Sequence, residues 1–526
     1  MDFLRNLLEQ QPLLTLFLTI ALGYVVGELN IKGFSLGVGA VLFVALGVGW
    51  FAPRATMPAM LGNFGLALFL YAVGIQYGRQ FFIGLTSPSG LRANLLALIG
   101  VLCAGATTIA LIRIMDLNIG QALGLFAGSG TSTATLQAAI TTLGNDDPAV
   151  GYSVAYPFGT AGPILFLFLA FRILKPRVEA PPGRGLEMLE VSLRSPDLDG
   201  VRLGELGATL PAGVQIAALR RDGRNTPASS DTILVLNDVL LIVGPDSAAL
   251  DILRERFGEA APGRLIHDRR DLDYLRVFAS RAGVVGRRLG DVVLPGSSIV
   301  IQVRRGDADI SPTPELILES GDRVGLLANR ADFPTLRAFF GDSIKGTAEL
   351  SYISIGVGIA LGCVFGAIPI PIPGVGSITL GLAGVLIVSL ILGQRRRTAG
   401  LNWVIPVSAN LVLRNLGLTV FLAQVGMASG PKFAATVAET GLLMLGLGAV
   451  ILASLALPVL LLGLFAFKLR FDAVAGIVSG ACGNPAILAY ANKLTPTDEP
   501  DLGYAMIFPG MTIVKILFVS IAAALL

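Results

Sequence analysis

The segment that starts at Asn63, NFGLALFLYAVGIQYGRQF, has a counterpart 352 residues further on, NLGLTVFLAQVGMASGPKF, which starts at Asn415. Nine of the 19 positions are identical, and three of them are glycines in both copies. The same offset aligns GLFAGSGTSTATLQAA, residues 124–139, with GIVSGACGNPAILAYA, residues 476–491, without a gap. A match of this length at one fixed offset indicates an internal duplication, so we predict a fold built from two related halves.

Composition separates these halves from the segment between them. The chain has 526 residues, of which 53% are apolar and only 14% charged, and the charged residues concentrate in a central block. Five apolar runs precede the block and five follow it, and several approach the roughly 20 residues that a membrane-spanning helix needs. The first run lacks the short apolar core and small-residue cleavage pattern of a signal peptide, so we interpret it as a retained span.

We therefore predict a mainly α-helical, polytopic membrane protein with an inserted α/β region. The insert contains two similar stretches, VRLGELGATLPAGVQIAALRRDG from Val201 and RRLGDVVLPGSSIVIQVRRGD from Arg287. Runs of β-branched residues between Gly-Asp turns are typical of strands, so each stretch predicts a small α/β module. The predicted domains are a first membrane half, residues 1–180, two modules, 181–260 and 261–345, and a second membrane half, 346–526.

Basic residues near the ends of the apolar runs predict the orientation. Arg172, Lys175 and Arg177 lie between the first half and the insert, and positively charged loops stay in the cytoplasm. The insert should therefore be cytoplasmic. Each half then has five full spans and one re-entrant hairpin. An odd number of spans places the halves in opposite orientations as an inverted repeat, with both termini in the periplasm.

The hairpins are the segments rich in small and hydroxylated residues. In the second copy, Asn484 is a favourable N-cap and Pro485 suits a first helical position, so a helix should begin there after an unwound SGACGN. The alignment transfers this start to Ser132–Thr133, with Thr131 or Ser132 as the cap, although small residues also occur in continuous membrane helices. Opposed halves would bring both helix N-termini together near the midplane, where unpaired N–H groups favour an anion. The candidate binding residues of the hairpins are Gly128, Ser129, Gly130, Thr131, Ser132, Thr133, Gly480, Cys482, Gly483, Asn484 and Pro485.

The positions of the carboxylates also favour an anion as the ligand. The Asp and Glu residues of both membrane halves lie near predicted loops and not in mid-span, where a proton relay or cation site normally needs them. Carbonyl groups of the unwound segments would still suit a cation, which leaves that alternative open. Arg binds carboxylates through two hydrogen bonds, but an arginine at a helix end can equally anchor the helix at the lipid headgroups. The further candidate residues are Arg79, Arg414, Asn63, Asn415 and Tyr156.

Several other classes of protein are not supported by the sequence. The net charge of +3 is too small to indicate a nucleic-acid partner. Cys103, Cys363 and Cys482 lie in apolar segments without paired spacing, and the only histidine, His267, has no other ligands beside it, so we predict neither metal nor cofactor. No nucleophile and base stand in a known motif, which argues against an enzyme. No G-x-G-x-x-G fingerprint follows a strand of the insert.

Taken together, the hairpins GSGTSTATLQAA and GACGNPAILAYA, the repeated GLxxFLxxVGxxxGxxF and the two inserted modules resemble the aspartate:alanine exchanger family of bacterial transporters. The modules resemble the C-terminal domain of potassium-uptake regulators, called TrkA-C or RCK C-terminal. The resemblance covers essentially the whole chain. It implies an inner-membrane antiporter for a small carboxylate or amino acid, working as a homodimer by an elevator-like movement.

Three questions stay open at this stage. Within the family, both aspartate-for-alanine exchange and succinate-type dicarboxylate export are implied. The modules suit a small regulatory ligand, but a structural or dimer-supporting role is equally compatible with the sequence. An ion channel gated by the modules is the alternative from another class, although no T-V-G-Y-G filter occurs.

Overall fold

A computed structural model gives the fold of the chain. It describes all residues except 1, 30–36, 56, 177–186, 212, 245–246, 262, 264, 266–267, 269, 282, 306–307, 320, 344–351, 373–375, 399–400 and 496. Two compact units are present. One comprises Met1–Ala180, Tyr352–Trp403 and Asn410–Leu526, and the other Pro181–Ser351 with Val404–Ala409. The predicted domain limits at 180/181 and 345/346, and His267, lie outside the described residues.

The first half of the membrane unit is helical throughout its described length. Short polar or glycine-containing breaks separate its helices. Between the fourth and fifth helices, the Ser87 hydroxyl accepts from the Gly90 N–H at 3.1 Å and Pro88 takes the first helical position, which is a good helix start. The helices are α1 Asp2–Gln10, α2 Pro12–Glu28, α3 Ala40–Phe51, α4 Ala59–Thr86, α5 Pro88–Met115, α6 Ile119–Ser129, α7 Thr133–Leu143 and α8 Asp147–Leu174.

The insert folds into two antiparallel sheets, each with its own apolar core. The first sheet has the strand order β3-β2-β4-β1-β5 and the second β6-β9-β7-β8. Its strands are β1 Glu187–Leu193, β2 Gln215–Arg221, β3 Arg224–Pro227, β4 Val239–Gly244, β5 Gly258–Ala260, β6 Asp273–Phe278, β7 Ser298–Arg305, β8 Ala308–Ile310 and β9 Arg323–Ala328. Its helices are α9 Leu203–Leu206, α10 Ser247–Phe257 and α11 Phe333–Phe340.

The two modules repeat one ion pair, between a partly exposed arginine and a buried aspartate. Arg221, at the end of β2, donates to both oxygens of Asp238 at 2.9 and 2.6 Å, and the same side chain reaches the Ile233 carbonyl. Arg305, at the end of β7, makes the corresponding contacts with Asp322 at 2.8 and 2.7 Å. Bidentate Arg–carboxylate geometry is directional, so its recurrence at matching strand ends supports the predicted similarity of the two modules.

A third carboxylate of the insert is held between two arginines. Arg270 donates to both oxygens of Asp268, and Arg220 donates to one of them at 2.8 Å. The hydrogen bonds from Arg270, and then those from Arg220, hold the pKa of the Asp268 carboxyl well below its usual range, because both favour the charged form.

The second half of the membrane unit repeats the helix pattern of the first. Its helices are α12 Tyr352–Ala367, α13 Ala383–Arg395, α14 Val407–Leu461, α15 Phe471–Cys482, α16 Pro485–Leu494 and α17 Glu499–Leu525. A single π-helical turn, Leu462–Ala466, follows α14. Two short hairpins, β10 Ile370–Ile372 with β11 Gly376–Ile378 and β12 Arg397–Thr398 with β13 Leu401–Asn402, connect the helices before α14.

Helix starts in the two halves differ by the sequence offset of 352. Helices α6 and α15 begin at Ile119 and Phe471, α7 and α16 at Thr133 and Pro485, and α8 and α17 at Asp147 and Glu499. The duplication read from the sequence is therefore also a duplication of secondary structure. The opposite orientation of the halves remains a prediction.

Among the described residues, six helices are long and apolar enough to cross a membrane, three in each half. They are Ala59–Thr86, Pro88–Met115, Asp147–Leu174, Ser408–Ala435, Leu442–Ala466 and Glu499–Leu525. Helices α1 and α2 could form a seventh, with a bend of 108° between them. The remaining predicted spans coincide with shorter apolar helices, so five spans per half stays a prediction. The predicted fold class, a polytopic helical membrane protein with an α/β insert, is confirmed.

Glycines of the duplicated segment allow α4 and α14 to touch through their backbones. A Cβ added to Gly65 would lie 2.5 Å from the Gly417 carbonyl oxygen, and one added to Gly417 would lie 2.4 Å from the Gly65 carbonyl oxygen. Both distances are too short for any side chain. These glycines are two of the positions that the repeat keeps identical, and close helix contact explains the residue type.

Candidate functional site

The chain between α6 and α7 is broken as the sequence predicts. Thr131 adopts a left-handed conformation with φ of 42°, and Ser132 is extended at the N-cap of α7. The N–H of Ser132 donates back to the Ala127 carbonyl at 2.9 Å, which closes the turn. The Thr131 hydroxyl donates to the Cys482 carbonyl at 3.1 Å, so the break in the first half contacts the break in the second.

The break between α15 and α16 is made by Gly483 and Asn484. Gly483 has φ of 84°, where a side chain would be strained, and Asn484 is the N-cap with Pro485 at the first helical position. The Asn484 Oδ1 accepts from the Ala486 N–H at 2.8 Å, and its Nδ2 donates to the Thr160 hydroxyl at 2.8 Å. The helix starts predicted at Ser132–Thr133 and Asn484–Pro485 are therefore both observed. The predicted unwinding over SGACGN is wrong in extent, because Ser479–Cys482 form the last turn of α15 and only Gly483 and Asn484 leave the helix.

The two helix starts differ in their free N–H groups, although unpaired N–H groups were predicted at both. At α16 Pro485 has no N–H, Ala486 is bound by the Asn484 side chain, and Ile487 donates to the Asn484 carbonyl at 3.1 Å. The predicted unpaired N–H groups are thus absent from the first turn of α16 as described. The N–H groups of residues 133–135, in α7, have no hydrogen-bond partner among the described residues.

This difference arises from the residue at each N-cap. The expected cap by Ser132 or Thr131 is wrong in detail, because the Ser132 hydroxyl pairs with the Thr135 hydroxyl at 2.7 Å and makes no bond to the backbone. The short serine side chain is engaged elsewhere, whereas the longer Asn484 side chain reaches its own helix. Positive potential at a helix start is therefore available to a ligand mainly at α7.

A cavity of about 320 Å³ lies between the two helix starts. Arg414 is the only charged residue among its described lining residues, and no Asp or Glu contributes to it. Four aromatic rings, those of Phe69, Tyr156, Tyr504 and Phe508, cover part of its wall. The remaining lining residues are Gly37, Val38, Gly39, Val73, Thr131, Ser132, Thr133, Ala134, Leu411, Asn415, Leu418, Gly483, Asn484, Pro485, Ala486 and Thr512.

Arg414 has only weak partners within the protein. Its Nη1 lies 3.4 Å from both the Gln76 Oε1 and the Tyr77 hydroxyl, longer than the usual 2.7–3.2 Å of an N–H···O bond. No carboxylate of the described residues forms an ion pair with it. A guanidinium in this state can offer both of its forked donors to a ligand in the cavity.

The structure brings some predicted site residues to the cavity and leaves others away from it. Tyr156, Arg414 and Asn415 line it together with residues of both hairpins. Asn63 lines a separate cavity of about 540 Å³, and Arg79 is exposed on α4 and lines neither cavity. A ligand-binding role for Asn63 or Arg79 stays a prediction without support from this geometry.

The inner hairpin residues support the breaks and do not line the cavity. A Cβ on Gly128 would lie 2.4 Å from the Tyr152 carbonyl oxygen, and one on Gly480 would lie 2.9 Å from the Ile507 Cβ. The Ser129 hydroxyl donates to the Gly448 carbonyl at 3.0 Å. These residues fix the half-helices α6 and α15 against their neighbours, which holds the breaks in place.

Lys515, a basic residue in the middle of α17, was not among the predicted site residues. Its side chain is 2% exposed, and its Nζ donates to the carbonyls of Gly130 at 3.2 Å and Cys482 at 3.4 Å. The signal was present, since Lys515 is the only charged residue in the apolar run MTIVKILFVSIAAALL, residues 511–526. Among the described residues, no group of three or more His, Cys, Asp or Glu side chains could hold a metal ion.

A multi-pass membrane unit with two broken helices whose ends meet at a small cavity is typical of membrane transporters. Residues 15–172 and 354–524 match the Asp-Al_Ex family, described as "Predicted Permease Membrane Region", and residues 188–258 and 274–341 each match the TrkA-C domain. The chain belongs to this aspartate:alanine exchanger family of permeases and carries two TrkA-C domains, which confirms the family resemblance.

Several relatives match the chain over nearly the full length of both proteins. The chain is 35% identical to an uncharacterized transporter of Geobacter sulfurreducens over 99% of this chain and 100% of the relative. It is 36% identical to one of Symbiobacterium thermophilum, with 99% of each chain covered, and 34% identical to one of Corynebacterium diphtheriae, over 96% of this chain and 97% of the relative. The match to the solved RCK domain of GsuK covers 30% of this chain and 64% of that chain at 13% identity. Its TM-score of 0.16 is too low to support a common fold.

Proposed function

We propose that this protein is a secondary antiporter that exchanges small carboxylates or amino acids, of the aspartate-for-alanine type, with the substrate carboxylate at the start of α7. The observation that carries the proposal is the cavity itself. It joins a helix start with three unpaired N–H groups to the guanidinium of Arg414, and no Asp or Glu lies among its described lining residues. Such a site is electrostatically complementary to an anion.

The binding groups differ in what they offer. The N–H groups of residues 133–135 point along the helix axis and carry the partial positive charge of the helix start, and the hydroxyls of Ser132 and Thr133 can donate to the same carboxylate. Arg414 supplies a full charge with two parallel donors. The rings of Tyr156, Tyr504 and Phe508 exclude water from one side, which strengthens each of these polar contacts.

Exchange, and not ion-driven uptake, follows from the same set of residues. A proton-coupled site in the membrane normally contains an ionisable carboxylate, and the described lining of the cavity has none. A coupling cation would need the carbonyls of the helix breaks, but those of Gly130 and Cys482 accept from Lys515. The driving force should therefore come from the counter-substrate. By family resemblance, the proposal also includes an elevator-like movement in a homodimer and a location in the bacterial inner membrane. It further includes a cytoplasmic insert with periplasmic termini and a small regulatory ligand on the TrkA-C domains.

The test is counterflow in liposomes that contain the purified protein. Liposomes loaded with aspartate should take up labelled alanine or aspartate, and empty liposomes should not. Ser132→Leu, which fills the cavity at the start of α7, should abolish uptake, whereas Thr86→Leu, at an exposed position at the end of α4, should leave it unchanged. Uptake into empty liposomes under a sodium or proton gradient would contradict exchange, and currents in a planar bilayer would support the channel alternative.

Succinate-type dicarboxylate export is a second candidate, and one observation favours it. The cavity has two separate positive groups, the start of α7 and Arg414, which match two carboxylates, and its described lining offers no Asp or Glu to pair with the ammonium group of an amino acid. Competition decides between the two, because a dicarboxylate carrier should be inhibited more strongly by succinate than by alanine in the same counterflow assay.

A further inference from the structure

Lys515 is buried at the point where the two broken helices meet. Its ammonium bridges the carbonyls of Gly130 and Cys482, which are equivalent positions of the duplication, 352 residues apart. Gly130 follows the last residue of α6, and Cys482 is the last residue of α15. One positive charge therefore interacts with the C-terminal ends of both half-helices.

An uncompensated charge at this depth is costly and needs a reason. No carboxylate among the described residues forms an ion pair with Lys515, and the other ionisable group beside it is the buried thiol of Cys482. Its partners are instead two carbonyl oxygens and the partial negative charges at two helix ends. In transporters with broken helices, unwound carbonyls and the C-terminal ends of half-helices are the groups that coordinate a coupling Na⁺.

We propose that the Lys515 ammonium is an internal cation, which holds the two helix breaks together at the position that a coupling metal cation would otherwise occupy. This inference rests on the proposed exchange function. It explains how the protein can use broken helices without an external ion: the cation is part of the chain. Lys515 does not line the cavity, so it is a positioning residue for the substrate site and not a ligand.

The surrounding residues are consistent with a fixed cation. A Cβ on Gly130 would lie 2.7 Å from the Lys515 Nζ, so glycine leaves the ammonium in place. The Thr131 hydroxyl donates to the same Cys482 carbonyl that accepts from Lys515. The ammonium thus fixes the geometry of both breaks directly ahead of the helix starts that line the cavity.

Chemical rescue tests the proposal. Lys515→Ala removes the equivalent of propylammonium, and Lys515→Met removes the charge but fills most of the space. In counterflow with choline as the only other cation, wild type should keep its full rate. Lys515→Ala should lose roughly 10- to 150-fold, the range expected for one hydrogen bond from a charged group, because the 3.4 Å contact with Cys482 is too long to count as a second. Ethylammonium or propylammonium should raise the exchange rate of Lys515→Ala at least about tenfold, and neither should raise the rate of wild type or Lys515→Met. The neutral 1-propanol should restore nothing.

A second measurement separates this inference from the proposed function. The experiment measures the midpoint of thermal unfolding of the detergent-solubilised full chain without any substrate. In Lys515→Ala this midpoint should rise with propylammonium concentration and saturate, because a ligand of the folded state stabilises it. Wild type and Lys515→Met should show no such rise. A rise in Lys515→Ala when wild type exchanges no carboxylate would retain the internal cation and reject the proposed function alone.

Two results overturn the proposal. The first is full exchange by Lys515→Met, which would show that no charge is needed. The second is a folded Lys515→Ala protein whose exchange and thermal stability ignore every alkylammonium ion. If Lys515→Ala does not fold, Lys515→Arg and Lys515→Met decide the matter: retained exchange in the arginine variant alone supports a cation, and equal activity in both refutes it.

Discussion

Replacing Arg414 by lysine should weaken substrate binding without destabilising the protein. The guanidinium lines the cavity and makes only two contacts within the protein, both at 3.4 Å. Bonds of this length contribute little to folding. Lysine keeps the charge but offers it as a single point on a flexible chain, so the bidentate grip on a carboxylate is lost.

The magnitude follows from the bond that disappears. One hydrogen bond to a charged partner contributes roughly 1.5–3 kcal/mol, which corresponds to about a 10- to 150-fold increase in Kd. Arg414→Gln loses the charge as well and should fall at or beyond the upper end of that range. The midpoint of thermal unfolding without substrate should stay close to that of wild type for both variants.

Isothermal titration of aspartate into the detergent-solubilised protein measures the change, and counterflow gives the matching change in KM. Arg79→Lys and Arg79→Gln are matched controls, because Arg79 is exposed on α4 and lies outside the cavity. Equal affinity of Arg414→Lys and wild type would refute the assignment of Arg414 as a ligand. An equal loss in Arg79→Lys would show that the cavity is not where the substrate binds.

Three further predictions concern stability and are measured as midpoints of thermal unfolding. Gly65→Ala should destabilise the protein by about 1–3 kcal/mol, because its Cβ would lie 2.5 Å from the Gly417 carbonyl oxygen, while Gly356→Ala, with open space around it, should be neutral. Asn484→Ala should cost about 1–2 kcal/mol, since it removes the 2.8 Å cap bond of α16, and no change would show that the cap is not needed. The lowered pKa of Asp268 means that this carboxylate stabilises the fold above its unfolded pKa near 4 and loses that effect as pH falls through the folded value. The deficit of Asp268→Asn should therefore be present at pH 7 and shrink in acid, and a pH-independent deficit would contradict the ion pairs.

Features that depend on local rules were predictable from the sequence. Apolar runs predicted the membrane helices because burial in lipid requires apolar side chains of sufficient number. The Asn484–Pro485 pair predicted a helix start because an N-cap and a proline have few other roles side by side. The duplication transferred that start to Thr133, and the structure begins helices at both positions.

Features that depend on which groups meet in three dimensions were not predictable. The Ser132 hydroxyl turns to Thr135, and its neighbouring N–H groups stay unpaired only for that reason. Residues Gly37–Gly39 line the cavity from a segment that carries no polar signal. Lys515 was visible as an isolated charge, but its two partners are backbone carbonyls of a glycine and a cysteine, whose side chains give no indication of such a role.

The unequal helix starts have a consequence for stereochemistry. The two halves align residue for residue around the breaks. Nevertheless, the first turn of α7 has unpaired backbone N–H groups, whereas the N–H groups of the first turn of α16 are bound by Asn484. A ligand between them is therefore held with a defined head and tail, and it does not bind equally well when reversed. With one carboxylate fixed at α7 and a second group held by Arg414, the mirror-image forms of a chiral amino acid place their amino groups against different walls of the cavity, so a carrier built this way should distinguish them.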